Sequence, residues 1–270
     1  MKFRILIILC FFATICKAQD SDSLVIQFLA ERDVHVTHDN NVTLLPSGTE
    51  KFRDLFAHIK KAKHHIHMEY FNFRNDSIAT EMFKILAQKV KEGVKVRLMF
   101  DAFGNSSNNK PLKKKHLKAI REQGIEIVKF DPIKFPYINH VFHRDHRKIV
   151  VLDGEIGYTG GMNVADYYIQ GLPEIGEWRD MHMRVEGSAV KDLQDIFLKM
   201  WNKQTKQNLE GDIYYPETAE NKGNKTIAIV DRYPRKDPKT LRRAIVESIN
   251  EADFKVQIVN PYFAPTHSIK

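Results

Sequence analysis

Hydrophobic positions between residues 41 and 202 recur with two alternating spacings, and these predict the elements in turn. Val42 to Leu45 reads as a first strand. Between Thr49 and Ala62, Phe52, Leu55, Phe56 and Ile59 fall at helical spacing. His64 to Phe73 then switches to a period of two. Ile66, Met68 and Tyr70 share one face, and His65, His67 and Glu69 the other. Ile78 to Val90 is a second amphipathic helix, closed by Gly93. Val94 to Phe100 reads as a buried strand, Leu112 to Gln123 as a helix and Ile125 to Phe130 as a strand. Ile149 to Leu152 and Ile156 to Thr159, with Asp153-Gly154 between them, form a hairpin pattern. Met181 to Val185 is another strand and Val190 to Trp201 another helix. This succession predicts an α/β fold, a mixed β-sheet flanked by helices.

Polar stretches set the expected boundaries. Residues 19–40 read as a linker with one short apolar piece, Leu24 to Leu29. Residues 41–202 form the first lobe, and residues 203–225 a linker between lobes. The opening pattern then returns. Ile59, Ala62 and Ile66 match Ile249, Ala252 and Val256, each 190 positions later (249 − 59 = 190). Residues 226–270 are therefore expected to begin a second, pseudo-symmetric lobe.

The chemistry concentrates between His140 and Asn163. His146, Lys148 and Asp153 form an H-x-K-x4-D pattern, followed by Gly160-Gly161-Met162-Asn163. His146 and Lys148 are two apart, so an extended strand turns both to one face, and the hairpin returns Asn163 toward them. A neutral imidazole can attack phosphorus and split one displacement into two steps. Lysine neutralises the non-bridging oxygens, and the Asn carboxamide donates to the charge that builds up. Asp180, before a strand, is a candidate to bond the far nitrogen of His146 and fix its tautomer, with Glu174 and Glu177 as rivals. No metal or other cofactor is expected. His65, His67 and Glu69 share a strand face without an evident further ligand. The spacing of His140, His143 and His146 mimics helical ligands in a segment that Pro136 keeps from being helical.

These residues resemble the signature of the phospholipase D superfamily, H-x-K-x4-D-x6-G-[GS]-x-N, and within it most nearly the bacterial cardiolipin synthases. The likeness runs from about Asn41 to Lys270. It implies that His146 is the nucleophile and that Lys148 and Asn163, with Gly160 and Gly161, hold the phosphate. Asp153 belongs to the same signature with a mainly structural part. Glu69 lies on a strand that runs beside the site in the family and is a further candidate for lining it. An acid downstream of G-[GS]-x-N has the His-orienting role, which points again to Asp180. Asp145 departs from the Asn more usual in cardiolipin synthases. The implied reaction is phosphatidyl transfer between two phosphatidylglycerol molecules through a phosphohistidine. The alternatives are a phospholipase D-type hydrolase or nuclease, and a non-catalytic lipid-binding half-protein. Family members set two motifs face to face. The repeat would place a second near position 336 (146 + 190), so the chain is expected to be a piece of a two-motif protein with weak or no activity alone. The second motif would come from the missing half or from a homodimer.

Charge and composition refine this. The 270 residues carry a net charge of +8, which favours anionic partners. Anionic phospholipid and a membrane surface are the expected ones, nucleic acid the less favoured. Both cysteines, Cys10 and Cys16, lie in residues 1–18, so no thiolate metal site is available beyond them. That stretch has a basic start at Lys2 and Arg4, a 12-residue apolar run from Ile5 to Cys16 and a small residue at Ala18. It is the pattern of a signal peptide, and it implies export to the cell envelope. Lys110, Lys113, Lys114, Lys115 and Lys118 suggest a patch for anionic headgroups, though a solvated helix face accounts for them as well. Phe130, Phe135, Tyr137 and Phe142 suggest an aromatic lip over the site, or simply core packing.

Overall fold

A computed structural model describes residues 21–132, 143–233 and 239–260, with residues 265 and 267. The leader, most of the aromatic stretch before His143 and residues 261–264 lie outside the described residues.

The elements, in chain order, are α1 (Ser21–Ala30), β1 (Val36–Leu45), α2 (Gly48–Ile59), β2 (His65–Tyr70), α3 (Ser77–Lys91), β3 (Lys95–Asp101), α4 (Ala102–Ser107), α5 (Lys114–Glu122) and β4 (Glu126–Phe130). There follow β5 (Ile149–Leu152), β6 (Ile156–Gly160), α6 (Tyr167–Gln170), β7 (His182–Glu186), α7 (Ala189–Thr205), β8 (Lys225–Ala228) and α8 (Thr240–Asn250). The strands form one sheet in the order β4-β3-β2-β5-β6-β7-β1-β8. β2, β3 and β4 are parallel, and the remaining pairs are antiparallel. The expected mixed sheet with flanking helices is thus present. Among the described residues no helix is long and apolar enough to cross a membrane.

The period-two patterns sort side chains to two cores. Ile66, Met68 and Tyr70 of β2 join Val150, Leu152 and Tyr158 under α2, α3 and α5. On the other face Ile149, Val151 and Val185 pack against Val190 and Leu193 of α7. Between those surfaces α7 also covers a polar layer: Gln194 bonds His67 (2.9 Å) and His65 (3.2 Å), and Phe197 stacks on His67 at 4.4 Å. His65 and His67 therefore satisfy a buried helix–sheet contact.

The linkers differ from expectation. Residues 19–40 contain α1 and the first half of β1, which begins six residues before Val42. The polar run there hides the strand because tertiary partners satisfy it. Asn40, fully buried, bonds Thr37 Oγ1 (2.7 Å), the Lys225 carbonyl (3.0 Å) and the Ala189 N–H (2.9 Å). Residues 203–225 are packed: two 3-10 turns, Asp212–Tyr214 and Glu217–Ala219, bring Tyr214 against His65 at 5.1 Å. β8 then pairs with β1, with Ala228 opposite Val36, so the first sheet extends past residue 226. After β8, α8, which packs on α1, is the remaining regular element of the expected second-lobe segment among the described residues.

Candidate active site

The pairing directions bring the carboxyl ends of β2, β3, β6 and β1 and the amino ends of β5 and β7 to one edge of the sheet. That edge is where α/β sheets bind ligands. His146 and Lys148 precede β5, Gly160 ends β6, and Gly161 to Asn163 follow it. The spacing of the motif around the Asp153-Gly154 turn thus converges on one place. A cavity of about 550 Å³ opens there, lined by His146, Lys148, Gly160 and Arg147 together with Leu193 and Ile229.

His146 is exposed on one side and rests on the Phe71 ring at 4.7 Å on the other. Partial burial, and then the Lys148 ammonium, hold its pKa below the ordinary value, with Asp145 pulling the other way. The ring is thus neutral near pH 7, the form that attacks phosphorus. Lys148 is 4 % exposed. Its Nζ donates to the His146 carbonyl at 2.7 Å and lies 3.0 and 3.3 Å from the two ring nitrogens. Burial lowers its pKa to about 8 against the opposing charges of Asp145 and Asp180. Asn163 is tied in by its neighbours. Its Oδ1 accepts from the Asn72 N–H (3.4 Å), and its Nδ2 donates to Tyr168 Oη (3.3 Å).

Gly160 and Gly161 are required by their surroundings. A Cβ at Gly160, where φ is 149°, would stand 2.6 Å from His182 Nδ1. One at Gly161 would stand 1.9 Å from Asp180 Oδ1. These glycines admit two side chains from the start of β7.

Two candidate roles change, those of Glu69 and Asp180, and the structural part of Asp153 becomes specific. Asp153 sits at the far end of β5 from Lys148. Its carboxylate accepts three backbone N–H groups, from Lys63 (2.7 Å), His64 (2.8 Å) and His65 (2.9 Å). It anchors the hairpin turn to β2 and takes no part at the phosphate. Glu69 does not line the cavity: it has no exposed surface and faces α7. Burial first, and then the Asp145 charge, push its carboxyl well above the ordinary range, and it meets Arg147 at 3.3 Å. Asp180 bonds the Met181 N–H at 2.7 Å, and among the described residues no hydrogen bond joins it to His146. Its carboxylate acts instead on Lys148 and Lys51. The acid beside His146 is Asp145.

Several supporting residues gave no sequence signal. Asp101, fully buried, accepts from the Asp145 N–H (2.9 Å) and the Gly104 N–H (2.8 Å), capping α4 while fixing the backbone just before His146. Arg147 spans Glu69, Asp145 and Asp231, the last at 2.7 Å. Lys51, also fully buried, donates to the carbonyls of Met162 (2.9 Å) and Asn163 (3.0 Å). Lys51 lies in the first turn of the amphipathic α2 and reads as surface; only its bonds to the Met162 and Asn163 carbonyls give it a role. Among the described residues no group of three or more His, Cys, Asp or Glu side chains is arranged to hold a metal ion.

Comparison with known proteins gives the family. Residues 55–201 match the family described as cardiolipin synthase, PLD-like domain. Cardiolipin synthase 1 of Bacillus cereus is 35 % identical over 257 residues, covering 88 % of this chain and 50 % of that protein. The major cardiolipin synthase of Bacillus subtilis is 34 % identical, covering 93 % and 52 %. The chain thus spans about half the length of the curated relatives it matches. Among solved structures, phosphatidylserine synthase of Haemophilus influenzae superposes with a TM-score of 0.49 at 15 % identity, covering 64 % of this chain and 41 % of that one. The chain belongs to the cardiolipin synthase, phospholipase D-like domain family.

Proposed function

We propose that the His146 site performs phosphatidyl transfer between two phosphatidylglycerol molecules, yielding cardiolipin and glycerol. The observation that carries this is a neutral imidazole beside a buried ammonium at a cavity edge, in a chain whose relatives are cardiolipin synthases. The His146 lone pair forms the N–P bond as the bond from phosphorus to the glycerol oxygen breaks, and that oxygen takes a proton as glycerol leaves. A hydroxyl of the second lipid then attacks phosphorus and displaces the imidazole, giving its proton to the group that protonated glycerol. Lys148 and Asn163 face the non-bridging oxygens through both steps. The proton donor is a second motif opposite His146, supplied by a longer chain or by a second copy of this one.

The lipid partner fits the exposed lysines Lys110, Lys113, Lys114, Lys115 and Lys118, which precede α5 or lie in its first two turns. Export to the cell envelope is part of the same proposal and rests on the pattern of residues 1–18. The test is product analysis. Phosphatidylglycerol vesicles, with a two-motif version containing this chain, should give cardiolipin and glycerol in equal amounts. Phosphatidic acid as the sole lipid product assigns a hydrolase. Cleavage of single-stranded DNA with no lipid conversion assigns a nuclease.

A further inference from the structure

The paired glycines admit His182 as well as Asp180, and His182 has no role in the site as described so far. It pairs with Gly160 on β6 and with Leu45 on β1. Continuing the β5–β6 register one residue beyond Ile149 opposite Thr159 sets Lys148 across from Gly160. Lys148, Gly160 and His182 therefore stand in one row, and the glycine leaves the space between the other two without a side chain. The His182 ring has no exposed surface, and neither ring nitrogen has a hydrogen-bond partner. Leaving a buried polar group in that condition costs about 1–3 kcal/mol, unless another state of the protein supplies a partner.

The charged groups facing it come from three places. Lys51 reaches in from α2, Lys148 from the start of β5, and the Asp180 carboxylate acts on both ammoniums. The Tyr70 hydroxyl, also buried without a partner, ends the same row on β2. Burial, and then the charges of Lys51 and Lys148, keep the imidazole well below its ordinary pKa, so it is neutral and offers one lone pair. Lys148 is turned the other way here. Its ammonium lies against both nitrogens of the His146 ring and covers the lone pair that must reach phosphorus.

We propose that His182 is a positioning residue for Lys148. Its lone pair accepts a hydrogen bond from Nζ when a phosphoryl group enters, drawing the ammonium off the His146 ring and holding it toward the phosphoryl oxygens. This rests on the phosphate reading of the His146 site. His182, having no exposed surface, acts through Lys148 and does not touch the phosphoryl group.

Inorganic phosphate is the probe. In nitrogen-edited NMR spectra of the full chain, the His182 imidazole should stay neutral where an ordinary imidazole titrates. It should shift during a phosphate titration with the same midpoint as His146. A response from His146 with His182 unmoved overturns the proposal and leaves the phosphate site standing. No response from either removes the site and the proposal together. Among variants, His182→Leu should bind phosphate about tenfold more weakly, the loss of one hydrogen bond to a charged group. The alkaline limit of binding should also move to lower pH, because Lys148 loses an acceptor. His182→Gln keeps an acceptor and should restore both. If His182→Leu binds phosphate like the parent and merely melts higher, the imidazole is packing and the proposal fails. Should that variant not fold, the spectra of the unaltered chain decide.

Discussion

Lys148 places two opposed demands on one ammonium. The proposed transfer needs its charge at the phosphoryl oxygens, yet it is 4 % exposed and its folded pKa of about 8 lies below the ordinary 10.5. The unfolded chain therefore binds that proton more tightly. The penalty on folding is complete below pH 8 and is relieved as pH rises toward 10.5. Replacing Lys148 with Met should raise stability at pH 7 by about 1–2 kcal/mol, after allowing for the lost bond to the His146 carbonyl, while abolishing transfer. Urea unfolding beside an activity assay checks this. In a two-motif version containing this chain, kcat/KM for the proposed transfer should fall with an alkaline limb near pH 8, as the ammonium is lost. A limb near pH 10 would show that the lysine is not buried in the working enzyme.

At the scale of elements, the β5–β6 hairpin holds the site by its remote end. Asp153 (φ 55°) and Gly154 (φ 73°) form the turn, and the Asp153 carboxylate fastens it to three N–H groups at the start of β2. Asp153→Ala should cost about 2–3 kcal/mol from the lost bonds and the left-handed backbone, lowering the urea midpoint. The fraction that stays folded should bind phosphate normally. A large loss of phosphate affinity in folded protein would show that Asp153 acts at the phosphate after all. The hairpin was legible because its turn chemistry and its period-two pattern agree. The first half of β1 was not, because Asn40 and Thr37 are satisfied by residues 225–228, far along the chain. For the site, the H-x-K and G-G-x-N spacings were enough to place His146, Lys148 and Asn163. They were silent on Lys51, Asp101 and His182. Each of those acts across a fold contact, and a lone buried Lys or His carries no sequence pattern.

Across the whole molecule, α7 closes a polar layer that links the site's sheet to the acid stability of the fold. Burial, above all, lowers His65 to about 4 and His67 well below the ordinary value. The unfolded chain takes up these protons first, so the stability they allow is intact above pH 6.5 and is lost as pH falls toward 4. His65→Phe should gain on the parent by about 2–3 kcal/mol between pH 7 and pH 4, read as the difference in urea stability. An unchanging difference would mean that His65 is not buried neutral. The same layer sets Gln194 and Phe197 beneath β2, two residues from Glu69 and the Arg147 clamp. Rigidity at the back of the sheet is thus continuous with the backbone that presents His146. On that presentation everything else depends, and it is tested most directly by trapping. A two-motif version containing this chain, mixed with labelled phosphatidylglycerol and quenched in alkali, should carry an acid-labile phosphatidyl group on the imidazole of His146. The adduct should vanish in His146→Ala and decay when more lipid acceptor is added. Cardiolipin formed at the normal rate with no label on His146 would contradict the account.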